Sequence, residues 1–300
     1  MLATALKQYN RPIAPRIQLR RGKILSLVPA RRGGSCSALE VAGDTYEDIV
    51  EQLAQRVLTR YSARPGRLVV GIAGAPGSGK TTLAAAVADR INHLCGQVAD
   101  QVAVSGRTVE CSAFATVMPM DGFHYYRREL DAMPDPLEAH ARRGAPWTFD
   151  AAKFVEAVRR VRLAAAGTGA PSSYCCSEGH IRETVVKLPS FDHGVGDPVE
   201  DDIVVAADSA VVLVEGNYLL LDQEPWRQLR DLFDETWFVS CPLDLIHKRL
   251  FERQTAIGLA PEVSLERIRV NDLPNAELVA ACAGAATVLV PGWVPRRSKE

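Results

Sequence analysis

Long hydrophobic runs are missing from this sequence: no stretch of about 18 uninterrupted apolar residues occurs, the length a membrane-spanning helix needs. The nearest run, LVAACAGAATVLV from Leu278, is short and broken by glycine, so no membrane association is expected. An excess of either charge is missing too. With 35 Lys and Arg against 36 Asp and Glu, a net charge of −1 and a pI near 6.6, the chain has no global attraction for nucleic acid or anionic lipid. Any basic function must be local, and no nucleic-acid partner is expected. Paired cysteines are absent as well: Cys36, Cys95, Cys111, Cys175, Cys176, Cys241 and Cys282 form no CxxC pair and no histidine-linked cluster. That argues against a structural zinc site or a disulfide scaffold and makes the reducing cytoplasm the expected compartment. The adjacent Cys175 and Cys176 read as loop thiols. Acids are missing from the start of the chain, where eight Lys or Arg precede Glu40 with no Asp or Glu. This composition resembles a mitochondrial transit segment, but Pro12, Pro15 and Pro29 and the lack of an amphipathic helix fit a disordered basic extension over residues 1–43 better. A mitochondrial location therefore stands second.

What is present is ordinary globular material, 47% apolar and 24% charged over 300 residues, enough for one large α/β domain over 44–300. DTYEDIVEQLAQRVLTRY puts Ile49, Leu53, Val57 and Leu58 on one helical face, with Asp44 as the expected cap. RLVVGIAG is a β-branched run that reads as a strand buried on both faces, and TTLAAAVADRINHL after it reads as a helix. Further strands are expected at FATVMPM from Phe114, SAVVLVEG from Ser209, ETWFVSC from Glu235 and ATVLVP from Ala286. Helical patterns separate them, including DAAKFVEAVRRVRLAAA from Asp150 and PWRQLRDLF from Pro225. Alternating β and α elements predict a mostly parallel five-stranded sheet between two helical layers, with ligands beyond the carboxyl ends of the strands. The stretch from Ser172 to Asp202 reads as irregular, with a short strand over 184–188. No internal repeat occurs.

Between that first strand and its helix lies GAPGSGKTT, residues 74–82: Gly74, Ala75, Pro76, Gly77, Ser78, Gly79, Lys80, Thr81 and Thr82. It completes the G-x-x-x-x-G-K-[ST] pattern in the strand-before, helix-after context that gives the pattern meaning. Glycines let backbone N–H groups face phosphates, the lysine neutralises the outer ones, the hydroxyl of Thr81 reaches magnesium and the helix adds its positive end. Glu215, at the end of AVVLVEG, stands where a second magnesium-directed acid belongs. Phosphoryl transfer to a hydroxyl also needs a carboxylate near the terminal phosphate. Asp121, in VMPMDGFHYYRREL, follows a strand directly and is the candidate.

Six segments in this order, GAPGSGKTT, MDGFH, RRGAPWTFD, PSFDHGVGDPV, VEGNYLLL and RVNDLPNAELV, together resemble the superfamily of uridine kinases, phosphoribulokinases and type I pantothenate kinases, on its uridine kinase-like branch. The resemblance spans about residues 45–295. It implies a P-loop NTPase fold with a helical lid over about 245–275, ATP and Mg2+ as cofactors, and a small-molecule acceptor. Carried over by position, it implies Asp121 as general base and magnesium partner, Glu215 as the Walker B-like acid, and Asp192 and His193 in the acceptor pocket. His124, Arg127 and Tyr218 are candidate substrate contacts. In HKRLFERQTAIGLAPE, Arg249 and Arg253 are four apart, hence on one helix face, and are candidates for stabilising the transferring phosphoryl group beside Lys80. Relatives commonly place further basic residues where this chain has Gln254 and Leu259, which implies a less charged lid. Asn271, Asp272 and Asn275 read as helix caps rather than nucleotide contacts.

The acceptor classes the resemblance implies are nucleosides, sugars and sugar phosphates, with pantothenate ranked below them because its kinases usually carry a different loop sequence. A phosphorylated acceptor would want cations beyond the lid, which Arg127, Arg128, Arg142 and Arg143 could supply. Preference for ATP over GTP rests on the resemblance alone, and a homodimer is allowed but not required. The alternative reading is a P-loop ATPase or a nucleotide-binding regulatory protein with no acceptor. The lack of an N-K-x-D stretch counts against a GTPase.

Overall fold

A computed structural model describes residues 38–64, 66–102, 113–164, 185–192 and 195–296; His193 and the Cys175–Cys176 pair lie outside them. The strands follow the β-branched runs. β1 (Leu39–Glu40), β2 (Leu68–Gly74), β3 (Ala115–Pro119), β6 (Val211–Gly216), β7 (Glu235–Ser240) and β8 (Val288–Pro291) form one sheet in the order β1-β8-β7-β2-β6-β3, every pairing parallel. The sheet therefore has six strands where five were expected. The extra one is a two-residue edge strand, too short to carry a pattern, and it lies within the stretch read as an extension.

Alternation along β2 assigns the two faces. Leu68, Val70 and Ile72 face the layer of α1 (Tyr46–Ala63) and α2 (Lys80–Val102), where Ile49, Leu53, Val57, Leu83, Val87 and Ile91 are fully or almost fully buried. Val69 and Ala73 face the opposite core, built on Phe154 and Val158 of α5 (Ala151–Leu163), with Met118, Leu219, Trp226 and Ile268. A strand flanked on both faces by such layers must be apolar throughout. β2 lies between β7 and β6, which puts its carboxyl end at the centre of the sheet edge where ligands bind.

Three local expectations are corrected. α1 is capped by Thr45, not Asp44: Thr45 and Asp48 bond each other's backbone N–H in a capping box. The segment after Pro225 is a 3₁₀ turn, Trp226–Asp231, rather than an α-helix. The stretch read as irregular contains an antiparallel hairpin of β4 (Val185–Asp192) and β5 (Asp197–Ala206). Five of the ten residues of β5 are exposed, four of them consecutive, so it lacks the apolar alternation that announces a strand. Among the described residues, no helix is long and apolar enough to cross a membrane.

Candidate active site

The glycine loop leaves the end of β2 and delivers Lys80 as the first residue of α2. Gly77 (φ +77) and Gly79 (φ +97) occupy the left-handed region that side chains disfavour, and the Ser78 amide closes the loop onto the Ala75 carbonyl at 3.0 Å. A cavity of about 580 Å³ opens beside it. Gly77, Ser78, Gly79, Lys80, Thr81 and Thr82 line one wall, while Gly74, Ala75 and Pro76 form the limb behind it. The facing wall is the last residue of β8 and the segment after it, from Pro291 to Arg296, with Tyr46 of α1. That wall was not anticipated from the sequence. Its signal was PGWVP: a tryptophan, 51% exposed, between a glycine and a proline just past a strand. Gly292 is held against the loop, its amide 2.7 Å from the Ser240 carbonyl, and a Cβ there would meet the Ser78 carbonyl at 2.6 Å.

Behind the loop stands a buried acid. Glu215, 2% exposed, pairs in register with Ile72 on one side and Pro119 on the other, so β6 delivers its carboxylate between the glycine loop and the residue pair that precedes Asp121. Thr81 Oγ1 donates to Glu215 Oε1 at 3.2 Å, while Oε2 is buried with no hydrogen-bond partner among the described residues. Burial pushes this carboxyl up to about 7; Lys80 opposes the shift, the charge of Asp121 adds to it, and the Thr81 bond opposes it. An orphaned carboxylate oxygen, a hydroxyl and a second carboxylate nearby form an all-oxygen donor set of the kind a hard cation takes. The residues present therefore fit magnesium.

This acid gives a pH dependence with a definite sign. Unfolded, Glu215 loses its proton near 4.5; folded, it holds it to about 7, so the native state binds more protons in that window. The ligand-free protein should lose stability as pH rises from 4.5 to 7, by at most about 1.4 kcal/mol per pH unit from this group. Thermal unfolding midpoints across that range should fall more steeply for the wild type than for Glu215→Gln. Parallel curves would show that Glu215 is already ionised.

Asp121 lies in the 3₁₀ turn Met120–Phe123 that follows β3. It is half-buried, and its carboxylate makes no hydrogen bond or ion pair among the described residues. The Asp121 carbonyl lies 2.8 Å from Nδ1 of His124, whose ring packs between Phe149 (3.9 Å) and Phe191 (4.7 Å). His124 is thus part of a wall beginning at Asp121. The β4–β5 hairpin forms the rest: the Pro189 carbonyl lies directly over Gly122, where any Cβ would collide with it. Gly122→Ala should push the hairpin off this turn and lower kcat about 10- to 100-fold with little change in ATP affinity. Unchanged turnover would mean that the hairpin's seat does not position Asp121.

Arg127 opens α3 (Arg127–Asp131), its amide bonded to Asp197 Oδ1 at 2.9 Å and its guanidinium packed against Gly196 at the hairpin turn. Asp192 ends β4, opposite Asp197, beside the same turn. Tyr218 is placed otherwise than expected of a substrate contact. Its ring is 1% exposed and its hydroxyl donates to the Gly144 carbonyl at 2.5 Å, so it ties the Arg142–Arg143 loop to the core. Burial pushes its ionisation well above the usual phenol value.

The flap begins with α6 (Leu243–Ala256) and continues through α7 (Pro261–Arg267), a π-helical turn Ile268–Asp272 and α8 (Leu273–Ala280). Arg249 and Arg253 both line the loop cavity, and Arg249 Nη1 lies 3.3 and 3.2 Å from the Gly77 and Ser78 carbonyls. Gln254 is not a surface position that lost a charge. It is buried, donating to Asp272 Oδ2 at 2.8 Å and accepting from Ser264 Oγ at 3.0 Å, and so joins α6, α7 and the base of α8. Leu259 closes the turn after α6 through its amide on the Gln254 carbonyl. The capping roles expected of Asn271, Asp272 and Asn275 are corrected likewise. Asp272 makes no cap bond, and Asn271 binds the Arg143 carbonyl at 2.9 Å while Asn275 donates to Asn271 Oδ1.

A glycine loop at the centre of a parallel sheet, a buried acid on the neighbouring strand and a helical flap carrying arginines define a P-loop kinase. The chain belongs to the uridine kinase-like family of P-loop kinases. It is 35% identical over 215 residues to a Schizosaccharomyces pombe protein provisionally named a uridine kinase, covering 71% of this chain and 78% of that one. Over 177 residues it is 37% identical to an ATP-dependent kinase-like protein, notR', of Aspergillus versicolor, covering 58% of this chain and 94% of that one. A crystal structure from Silicibacter sp. TM1040, provisionally named a fructose transport system kinase, superposes with a TM-score of 0.61 at 28% identity, covering 80% of this chain and 98% of that one. No protein-family model matches the chain, so membership rests on these relatives.

Proposed function

We propose that this protein transfers the γ-phosphoryl group of ATP to a hydroxyl of a small metabolite. The observation that carries the reading is Asp121: a carboxylate with no ion-pair partner among the described residues, at the strand end next to Glu215 and in electrostatic contact with it. A hydrolase that merely drives a partner has no need of an acceptor wall running away from that carboxylate, as His124 and Phe191 do.

ATP lies with its phosphates on residues 77–82 and its base toward the segment 291–296. Lys80 and the arginines of α6 neutralise the phosphate oxygens, and Arg249 also holds the loop carbonyls in place. Thr81 and Glu215, with the charge of Asp121 nearby, would hold magnesium, which would supply positive charge against the phosphates. The acceptor hydroxyl gives its proton to Asp121 as its oxygen bonds to the γ-phosphorus. The bond from that phosphorus to the β,γ-bridging oxygen breaks, and ADP leaves with the electron pair. Closure of the flap, braced at Gln254 and Asp272, excludes water as a competing acceptor.

The test follows the phosphorus. With γ-labelled ATP and a pool of small hydroxylated metabolites, the label should appear in an organic phosphoester. Label found only in inorganic phosphate would overturn the reading.

A further inference from the structure

The end of β6 holds a second buried oxygen without a partner. Asn217, just past the strand, is 9% exposed, and its Oδ1 is buried with no hydrogen-bond partner among the described residues. Buried amide oxygens are almost always paired, so one left open marks a place for a donor from outside the chain.

Alternation along the strand says which way Asn217 faces. Val212, Val214 and Tyr218 enter the core on the α5 side, while Val211 and Leu213 enter the core of α1 and α2. Glu215 continues the second series and meets Thr81 of α2, and Asn217 is the next residue in it. Register supplies the neighbours. Glu215 is level with Ile72 of β2 and Pro119 of β3, and Gly216 with Ala73. The match to the β3 side persists past the strand end, because a Cβ on Gly216 would meet the Met120 Cβ at 2.6 Å. One further step sets Asn217 level with Gly74, where the glycine loop begins, and with Asp121. The open amide oxygen therefore shares a face with the open Oε2 of Glu215, at the height of Asp121.

Once Glu215 is ionised, these three groups can only accept hydrogen bonds, so they cannot satisfy one another. The Thr81 hydroxyl is already given to Glu215 Oε1. The reacting hydroxyl of the acceptor is not the missing donor either, since its single proton goes to Asp121. A hydrated magnesium ion supplies what is missing. It gives up water reluctantly and keeps several waters when bound, and each has two protons to donate.

We propose that Asn217 is a positioning residue for magnesium: its amide oxygen accepts from a water on the ion and, with Glu215 and Asp121, fixes the hydrated ion against the glycine loop. The inference rests on the nucleotide-binding part of the kinase reading and needs no acceptor.

Manganese, whose electron paramagnetic resonance signal is lost on binding, replaces magnesium in the test. It is titrated into the full chain saturated with a non-hydrolysable ATP analogue, with the analogue alone as reference, for the wild type, Asn217→Leu and Asn217→Asp. Leucine matches asparagine in size but offers no acceptor, and it should weaken manganese binding about 10- to 100-fold. Aspartate restores an oxygen acceptor and should bind manganese at least as tightly as the wild type. The unfolding midpoint of the metal-free protein separates this role from a structural one. Leucine removes a buried polar group that has no partner, so its midpoint should stay at or above the wild-type value, whereas loss of a hydrogen bond that holds the fold would lower it. The proposal is overturned if Asn217→Leu binds manganese as the wild type does, if aspartate weakens binding as much as leucine, or if leucine lowers the metal-free midpoint together with the affinity. Turnover distinguishes it from the kinase reading. Phosphorylation of an acceptor by Asn217→Leu with the wild-type magnesium dependence would sink this inference and leave the kinase standing. Asn217-dependent manganese binding by a protein that phosphorylates no acceptor would do the reverse.

Discussion

Asp121→Asn should lower kcat about 10²- to 10⁴-fold, the range expected for loss of a general base. The amide keeps the size and shape of the acid, and the turn that holds it is fixed by its backbone, with the His124 amide 3.2 Å from the Asp121 carbonyl. ATP affinity should therefore be nearly unchanged, because the side chain lies beyond the residues that line the nucleotide cavity. Removing one negative charge beside Glu215 also relieves a repulsion, so Glu215 should ionise more readily in the variant. The expected signature is a fall in kcat with both Michaelis constants little changed, read from steady-state kinetics. A large rise in the Michaelis constant for ATP would instead make Asp121 chiefly a partner of the metal.

Lys80→Met should be equally damaging but in another parameter. Lys80 is the first residue of α2, nearly buried, and its charge is the strongest force opposing the neutralisation of Glu215. Its loss removes a cation from the phosphates and leaves Glu215 protonated over more of the neutral range. Both effects weaken the grip on ATP with magnesium and the stabilisation of the phosphoryl group in flight. We expect kcat/KM for ATP to fall about 10²- to 10³-fold or more. The change should appear in direct nucleotide binding as well as in turnover. Wild-type nucleotide affinity in Lys80→Met would mean that the loop's backbone alone holds the phosphates.

Much of this architecture was legible because its strands are buried on both faces. VVLVEG and LVVGIAG have no solvent side, so their sequences announce themselves, and the acid or glycine ending each marks a ligand-facing edge. The glycine loop was legible for a similar reason, since Gly77 and Gly79 take backbone angles that other residues avoid. The β4–β5 hairpin was not, because β5 presents Glu200, Asp201 and Asp202 to solvent and β4 is seated through Pro189 on distant Gly122. The 291–296 wall escaped because its role comes from Gly292 touching Ser78, more than 200 positions earlier. Side-chain surroundings were not legible where local and tertiary partners competed. Tyr218 stands three residues past Glu215 yet turns inward to Gly144, and Gln254 follows Arg253 yet faces the helix junction. Neither choice is encoded in the few residues around it.

The most direct test of the central claim is ADP release by the purified protein with ATP and magnesium, measured across nucleosides, sugars, sugar phosphates and pantothenate for the wild type and Asp121→Asn together. The account predicts low release without acceptor, a large rise with one of these acceptors, and loss of that rise in the variant. Release that is indifferent both to every acceptor and to the substitution would contradict it.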